Sequence, residues 1–218
     1  MEIKGAIFDM DGTLVDSLFL WEVIWKAFGD KYLNGEPFAP NAADDKAVRT
    51  VPLRDAMQII YDHNGFGNSG EELFDLATEI IRNFYATQAT LKTGVRELLA
   101  GLQKQGVKMC VASATTSTLI ETALKHSGIY PYFSAVFSCA DLGMGKEKPD
   151  VYLLAQEHLG TATAETWVFE DSLVALETAS KIGMPTVGIF DRCNPYQMEI
   201  KAVCTEYVGE GESLAKVL

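Results

Sequence analysis

The stretch "AIFDMDGTLVDS", residues 6–17, decides how the rest of the chain is read. Its apolar run ends at Phe8. Asp9 and Asp11 follow, one residue apart, then the pair Gly12-Thr13, and then Asp16. Two carboxylates this close repel each other. A buried strand that delivers both to its end implies a cation waiting there.

Working outward, short apolar runs rich in β-branched or aromatic residues recur along the chain. They are "GAIF" (5–8), "VKMCVAS" (107–113), "AVFS" (135–138), "TWVFE" (166–170) and "PTVGIF" (185–190). Amphipathic helical patterns fill most gaps. "VRELLAGLQKQG" stops at Gly106, "STLIETALKHSG" at Gly128, "KPDVYLLAQEHLG" at Gly160 and "SLVALETASKIG" at Gly183. Alternation of this kind implies an α/β fold, a parallel sheet wrapped by helices.

The first gap is different, because it holds about a hundred residues, far more than one crossover helix needs. Leu18, Trp21, Trp25 and Phe28 stripe one helical face there. Pro52 stands where a second helix begins. Ser69 and Glu72 form a capping-box pattern ahead of Leu73, Leu76, Ile80 and Phe84. Residues 17–88 therefore read as a helical insertion, with 34–45 as its least structured part. Residues 1–16 and 89–218 read as the α/β core.

The composition narrows the function. Of 218 residues 48% are apolar and 22% charged, which suits a packed globular fold. A net charge of −12 argues against nucleic acid and anionic membrane as partners. No stretch is apolar and long enough to span a bilayer, and the start carries no signal-peptide pattern. Cys110, Cys139, Cys193 and Cys204 are scattered without a CxxC pair, so they read as buried filler in a reducing cytoplasm. His63, His126 and His158 lie near helix ends and share no spacing, which suits surface or capping roles.

Ligands of open parallel sheets bind outside the carboxyl ends of the strands. Asp9 and Asp11 follow the first strand, Ser113 ends the second, Lys146 and Lys148 follow the third, and Glu170 and Asp171 end the fourth. Four acids at one rim need a hard cation, and beside phosphate Mg²⁺ is the natural one. Asp9 can then attack phosphorus, and Asp11 can protonate the leaving alcohol and later deprotonate water. Ser113 can bind phosphoryl oxygens, Lys146 can offset their charge, and Glu170 and Asp171 can anchor the metal. Phosphate monoesters need acceleration of up to ~10²¹-fold, more than any one of these groups supplies. Singly, each motif has a plainer reading: Asp11-Gly12 as a turn, Asp171 as a helix cap, Lys146 as a solvated charge.

Taken in series, "FDMDGTLVDS", "VASAT", "GKEKPD" and "VFEDS" resemble the four motifs of the haloacid dehalogenase superfamily. The insertion after the first resembles the small helical cap of its β-phosphoglucomutase-like branch. The resemblance implies a Rossmann-like three-layer core with a parallel sheet, and a helical cap inserted after the first strand. It implies Asp9 as nucleophile and Asp11 as acid/base. It implies a metal held by the side chains of Asp9 and Asp171 and the backbone carbonyl of Asp11, with Glu170 close by. Gly12, Thr13, Ser113 and Ala114 are the residues expected at the phosphate. The third motif reads Lys-Glu-Lys-Pro-Asp where the family has Lys-Pro-x-Pro-Asp. Lys146 takes the catalytic position, with Lys148 the competitor.

Asp11 favours phosphoryl chemistry, since the dehalogenases of the superfamily lack it. The mutases carry a histidine near Leu20 or Trp21 and an arginine near Leu53, where this chain departs from them. The expectation is thus a Mg²⁺-dependent phosphatase of small phosphorylated metabolites, sugar or polyol phosphates by analogy. A sugar phosphomutase and a non-catalytic phosphate-binding module are the alternatives. Trp21, Arg54, Arg49 and Lys46 are the cap's candidates for substrate contact, and the connections near 14–17 and 86–92 are candidate hinges. A monomer or weak dimer is expected.

Overall fold

The computed structural model describes residues 2–48 and 51–218, apart from the side chain of Lys46. The chain divides into two compact units, 1–18 with 89–218, and 19–88.

The larger unit holds strands β1 (Gly5–Phe8), β2 (Lys108–Ser113), β3 (Val136–Ser138), β4 (Thr166–Glu170), β5 (Thr186–Ile189) and β6 (Glu206–Val208). The smaller unit supplies helices α1 (Leu20–Tyr32), α2 (Ala42–Val48), α3 (Leu53–Asn64) and α4 (Gly70–Thr87). The larger supplies α5 (Val95–Lys104), α6 (Ser117–His126), α7 (Cys139–Leu142), α8 (Asp150–Leu159), α9 (Leu173–Lys181) and α10 (Gln197–Val203).

Among the described residues the strands form one parallel sheet in the order β3-β2-β1-β4-β5-β6. Every residue of β1 is buried, as a central parallel strand with both faces covered requires. Side chains alternate faces along a strand. Ile7, Cys110, Ala112 and Val168 join Val151, Tyr152 and Ala155 of α8 and Ala175 and Ala179 of α9 in one core. Phe8 and Phe169, each one residue on, stack at 4.4 Å on the other face. The chain crosses to β2 on one side of β1 and to β4 on the other. The tip of β1 is therefore the switch point at which open α/β sheets bind ligands.

Strand β6 was not among the expected runs. It is a short edge strand whose Glu206 is exposed and Tyr207 half-buried, so it carries little apolar signal. Cys110 and Cys139 are buried as expected, and burial pushes the Cys110 thiol up to about 12. Cys193 and Cys204 are only half-buried, which corrects their reading as filler.

The smaller unit has its own core, in which Phe28, Met57, Ile60, Leu73 and Ala77 are fully buried. Helix α1 begins at Leu20, so Leu18 lies outside the stripe assigned to it, and Leu20 and Ile24 are buried instead. Residues 34–45 are more ordered than their composition suggests. The Asn41 side chain accepts from the amides of Ala43 and Asp44, each at 3.0 Å, and starts α2. Phe38 meets Phe66 edge-on at 4.7 Å. At α4 the Ser69 hydroxyl accepts from the Glu72 amide at 3.2 Å, but the Glu72 carboxylate reaches Asn68 rather than Ser69. The capping box is thus displaced by one residue on its return side.

Candidate active site

The Asp9 amide donates to the Phe169 carbonyl at 2.9 Å, which extends the β1–β4 ladder by one step and fixes Asp9 at the switch point. The chain then turns back on itself. The amides of Leu14 and Val15 both donate to the Met10 carbonyl at 2.9 Å. Gly12 makes this turn possible, because its φ is +79° and a Cβ there would stand 2.7 Å from the Asp171 carboxylate. The tight loop lets Asp171, the residue just past β4, lie against the first motif.

One carboxylate oxygen from each of Asp9, Glu170 and Asp171 lies within 4.8 Å of the others, and all three residues are buried. Lys146 reaches in from the loop between α7 and α8, its Nζ 2.5 Å from both Asp9 Oδ1 and Glu170 Oε1. The other Glu170 oxygen accepts from the amides of Asp171 and Ser172, each at 2.9 Å. The Thr13 hydroxyl donates to Asp171 Oδ1 at 3.2 Å. Lys148 is exposed.

Asp11 stands beside the cluster. Its two carboxylate oxygens accept from the Ser17 hydroxyl at 2.6 Å and the Thr115 hydroxyl at 2.8 Å. Ser113, buried at the tip of β2, accepts from the Thr115 amide at 3.2 Å, while Ala114 is exposed. Ser138 ties this loop down by donating to the Thr115 carbonyl at 2.8 Å.

Fully ionised, three carboxylates against one ammonium would leave two negative charges uncompensated. Burial pushes the Asp9 carboxyl up to about 8, with Glu170 and Asp11 adding to the rise and Lys146 opposing it. Burial, then Glu170 and Asp9, hold Asp171 well above the usual carboxylate range. Burial pulls Lys146 down, but its two carboxylate partners outweigh that and hold it well above an ordinary lysine.

A family model described as haloacid dehalogenase-like hydrolase matches residues 3–183. The chain belongs to the haloacid dehalogenase-like hydrolases. It is 25% identical over 185 residues to the phosphorylated carbohydrates phosphatase of Thermotoga maritima, covering 85% of this chain and 84% of that protein. It is 26% identical over 185 residues to the fructose-1-phosphate phosphatase of Escherichia coli, covering 85% and 95%. The fold is that of the β-phosphoglucomutase-like branch. The solved β-phosphoglucomutase of Clostridium difficile superposes with a TM-score of 0.73 at 16% identity, over 99% of this chain and 93% of that one.

For a hydrolase of this family the acid cluster fits a hard divalent ion. Its donors are all oxygen, and burial first, then the crowding of like charges, makes Asp9 and Asp171 resist ionisation. The structure brings Asp9, Lys146, Glu170 and Asp171 into one cluster, with Asp11, Ser113 and Thr13 around it. It places Trp21 and Arg54 in the helical unit. Trp21 stacks on Trp25 at 5.3 Å. Arg54 pairs with Glu71, its guanidinium 4.0 Å from the Phe74 ring centre. Arg49 and the side chain of Lys46 lie outside the described residues. Sequence reasoning missed Ser17, Thr115 and Asn194, whose amide donates to the Asp171 carbonyl at 2.7 Å. Isolated hydroxyls and amides carry no spacing signal that marks them out.

Proposed function

We propose that the chain is a Mg²⁺-dependent phosphatase of small phosphate monoesters, phosphorylated sugars or polyols, acting through an aspartyl-phosphate on Asp9. The observation that carries this is the cluster of Asp9, Glu170 and Asp171 with Lys146 bridging two of them. Two curated relatives named as phosphatases of phosphorylated carbohydrates support the substrate class.

Asp9 and Asp171, with the Asp11 backbone carbonyl, are the proposed metal ligands, and Glu170 steadies them. Bound Mg²⁺ supplies charge that lets a phosphate dianion lie against carboxylates. The Asp9 carboxylate attacks phosphorus as the bond to the substrate alcohol breaks. Asp11 gives its proton to the departing oxygen, then takes one from the water that cleaves the aspartyl-phosphate. Ser113 holds phosphoryl oxygens, and Lys146 stabilises the charge that builds on them. Residues 1–16 and 89–218 form the catalytic core in this reading. Residues 17–88 act as a cap, in which Trp21 and Arg54 read the leaving group.

A phosphomutase would interconvert sugar phosphates without net release. The departures near Leu20, Trp21 and Leu53 from the mutase pattern speak against it. The test is phosphate release from a panel of sugar and polyol phosphates, with and without Mg²⁺. The expected outcome is metal-dependent release that Asp9→Asn abolishes while the fold survives. Near-normal turnover by that variant would refute the nucleophile.

A further inference from the structure

We propose that the buried Lys92–Asp191 ion pair is a positioning device for Asp171. The inference rests on the reading of Asp171 as a magnesium ligand.

Asp191 follows β5 and is buried, its Oδ2 2.8 Å from Lys92 Nζ, and Lys92 is itself only 12% exposed. Lys92 Nζ also donates to the Phe190 carbonyl at 2.6 Å. The next residues wrap around Asp191. Its Oδ1 accepts from the Cys193 amide at 2.8 Å, and its carbonyl accepts from the Gln197 side chain at 2.8 Å and the Asn194 amide at 3.0 Å. Asn194, so held, donates its side-chain amide to the Asp171 carbonyl at 2.7 Å.

The other end of the clamp is the first motif. The Lys92 amide donates to the Leu14 carbonyl and the Asp16 amide to the Thr90 carbonyl, each at 3.0 Å, and Val15 bridges Leu91. Lys92 is therefore anchored to the loop after β1, and Asp191 to the loop after β5. In the sheet β4 lies between those two strands. The pair thus straddles the strand tip that carries Asp171.

A buried ion pair is weak evidence for stability, since apolar replacements of both partners are often neutral. Its placement over β4 gives it a different consequence. Outer-shell partners of metal ligands typically change metal affinity by ~10–100-fold when removed. The test is calorimetric titration of Mg²⁺ alone into the full chain. Lys92→Met should weaken Mg²⁺ binding by ~10-fold or more, and Lys92→Arg, which keeps the charge, should restore it to within about threefold. The double variant Lys92→Met/Asp191→Asn leaves no orphan buried charge, and it should fold yet bind Mg²⁺ as weakly as the single. Wild-type affinity in either Met-bearing variant overturns the inference. A wild-type protein that takes up no Mg²⁺ overturns instead the reading of the site on which it stands.

Discussion

Gly12→Ala offers the sharpest trial of the site, because its effects on stability and on turnover have separate causes. The first cause is the backbone. An alanine at φ +79° costs ~1–2 kcal/mol. For a chain of this size that corresponds to a fall in Tm of about 2–8 °C. The second cause is local. The new Cβ would stand 2.7 Å from Asp171 Cγ and Oδ2, where ordinary contact begins at 3.4 Å. The carboxylate must retreat by a sizeable fraction of an ångström, against the hydrogen bond from Thr13. Misplacements on the order of 1 Å cost on the order of 10²-fold in rate, so kcat/KM should fall by about that factor. Gly106→Ala is the matched control, since Gly106 also has φ +79° but nothing lies within 4 Å of where its methyl would sit. Thermal melts should show similar losses in both variants, and Mg²⁺-dependent phosphate release should fail only in Gly12→Ala. Wild-type turnover in Gly12→Ala would refute the placement of Asp171 in the catalytic machinery. Equal activity loss in Gly106→Ala would show that backbone strain alone accounts for the effect.

Asp11→Asn should lose far more activity on an alkyl phosphate than on p-nitrophenyl phosphate, because a good leaving group needs little proton help; equal losses count against the acid role. In the metal-free protein, Asp9 keeps its proton up to about 8 where the unfolded carboxyl releases it near 3.8. The unfolded chain therefore binds fewer protons across that window, and stability falls as pH rises through it. Melts in chelator from pH 4 to 8 should show the decline and Mg²⁺ should flatten it; a level metal-free profile would contradict the raised Asp9 carboxyl. In the helical unit, the Asn68 amide, Tyr32, the Asn68 side chain and Lys31 pull Glu72 down to about 2. That stabilisation is complete above the ordinary value of 4.5 and is lost as pH falls through about 2. Glu72→Gln should therefore melt below wild type at pH 6 and alongside it near pH 2, and a gap that persists in acid would disprove the assignment.

How much of this was legible in the sequence depended on how local each signal was. Strands β1 to β5 were visible because each is a compact apolar run beside a glycine or a polar turn. Strand β6 was not, since "EYV" gains its place only from the β5 edge it pairs with. Helix α2 was hidden among Gly35, Pro37 and Pro40, and only the Asn41 cap reveals where it starts. At the site, Asp9, Asp11, Glu170 and Asp171 stood out because acids at strand ends are costly and hence informative. Ser17 and Thr115 did not. Their hydroxyls matter only because the turn at Gly12 and the tip of β2 bring them to one carboxylate. Asp191 also follows a strand, but the cation that neutralises it lies 99 positions earlier in the chain.

The contrast between Lys146 and Lys92 shows how the charge is arranged. Lys92 has a carboxylate partner of its own in Asp191, so among the described residues the cluster at Asp9, Glu170 and Asp171 has Lys146 as its one cation in direct contact. The cluster is therefore left short of positive charge in a place where water cannot screen the deficit. An approaching phosphate makes matters worse. Each unit charge about 4 Å from another costs ~4 kcal/mol at an effective dielectric of 20. A phosphate dianion among unneutralised carboxylates would be expelled. One divalent cation would cancel the two charges that remain once all three carboxyls ionise, and Lys146 would stay available to the phosphoryl group. On the proposed reading, the under-neutralised cluster is thus what makes the site wait for its metal before it admits its substrate.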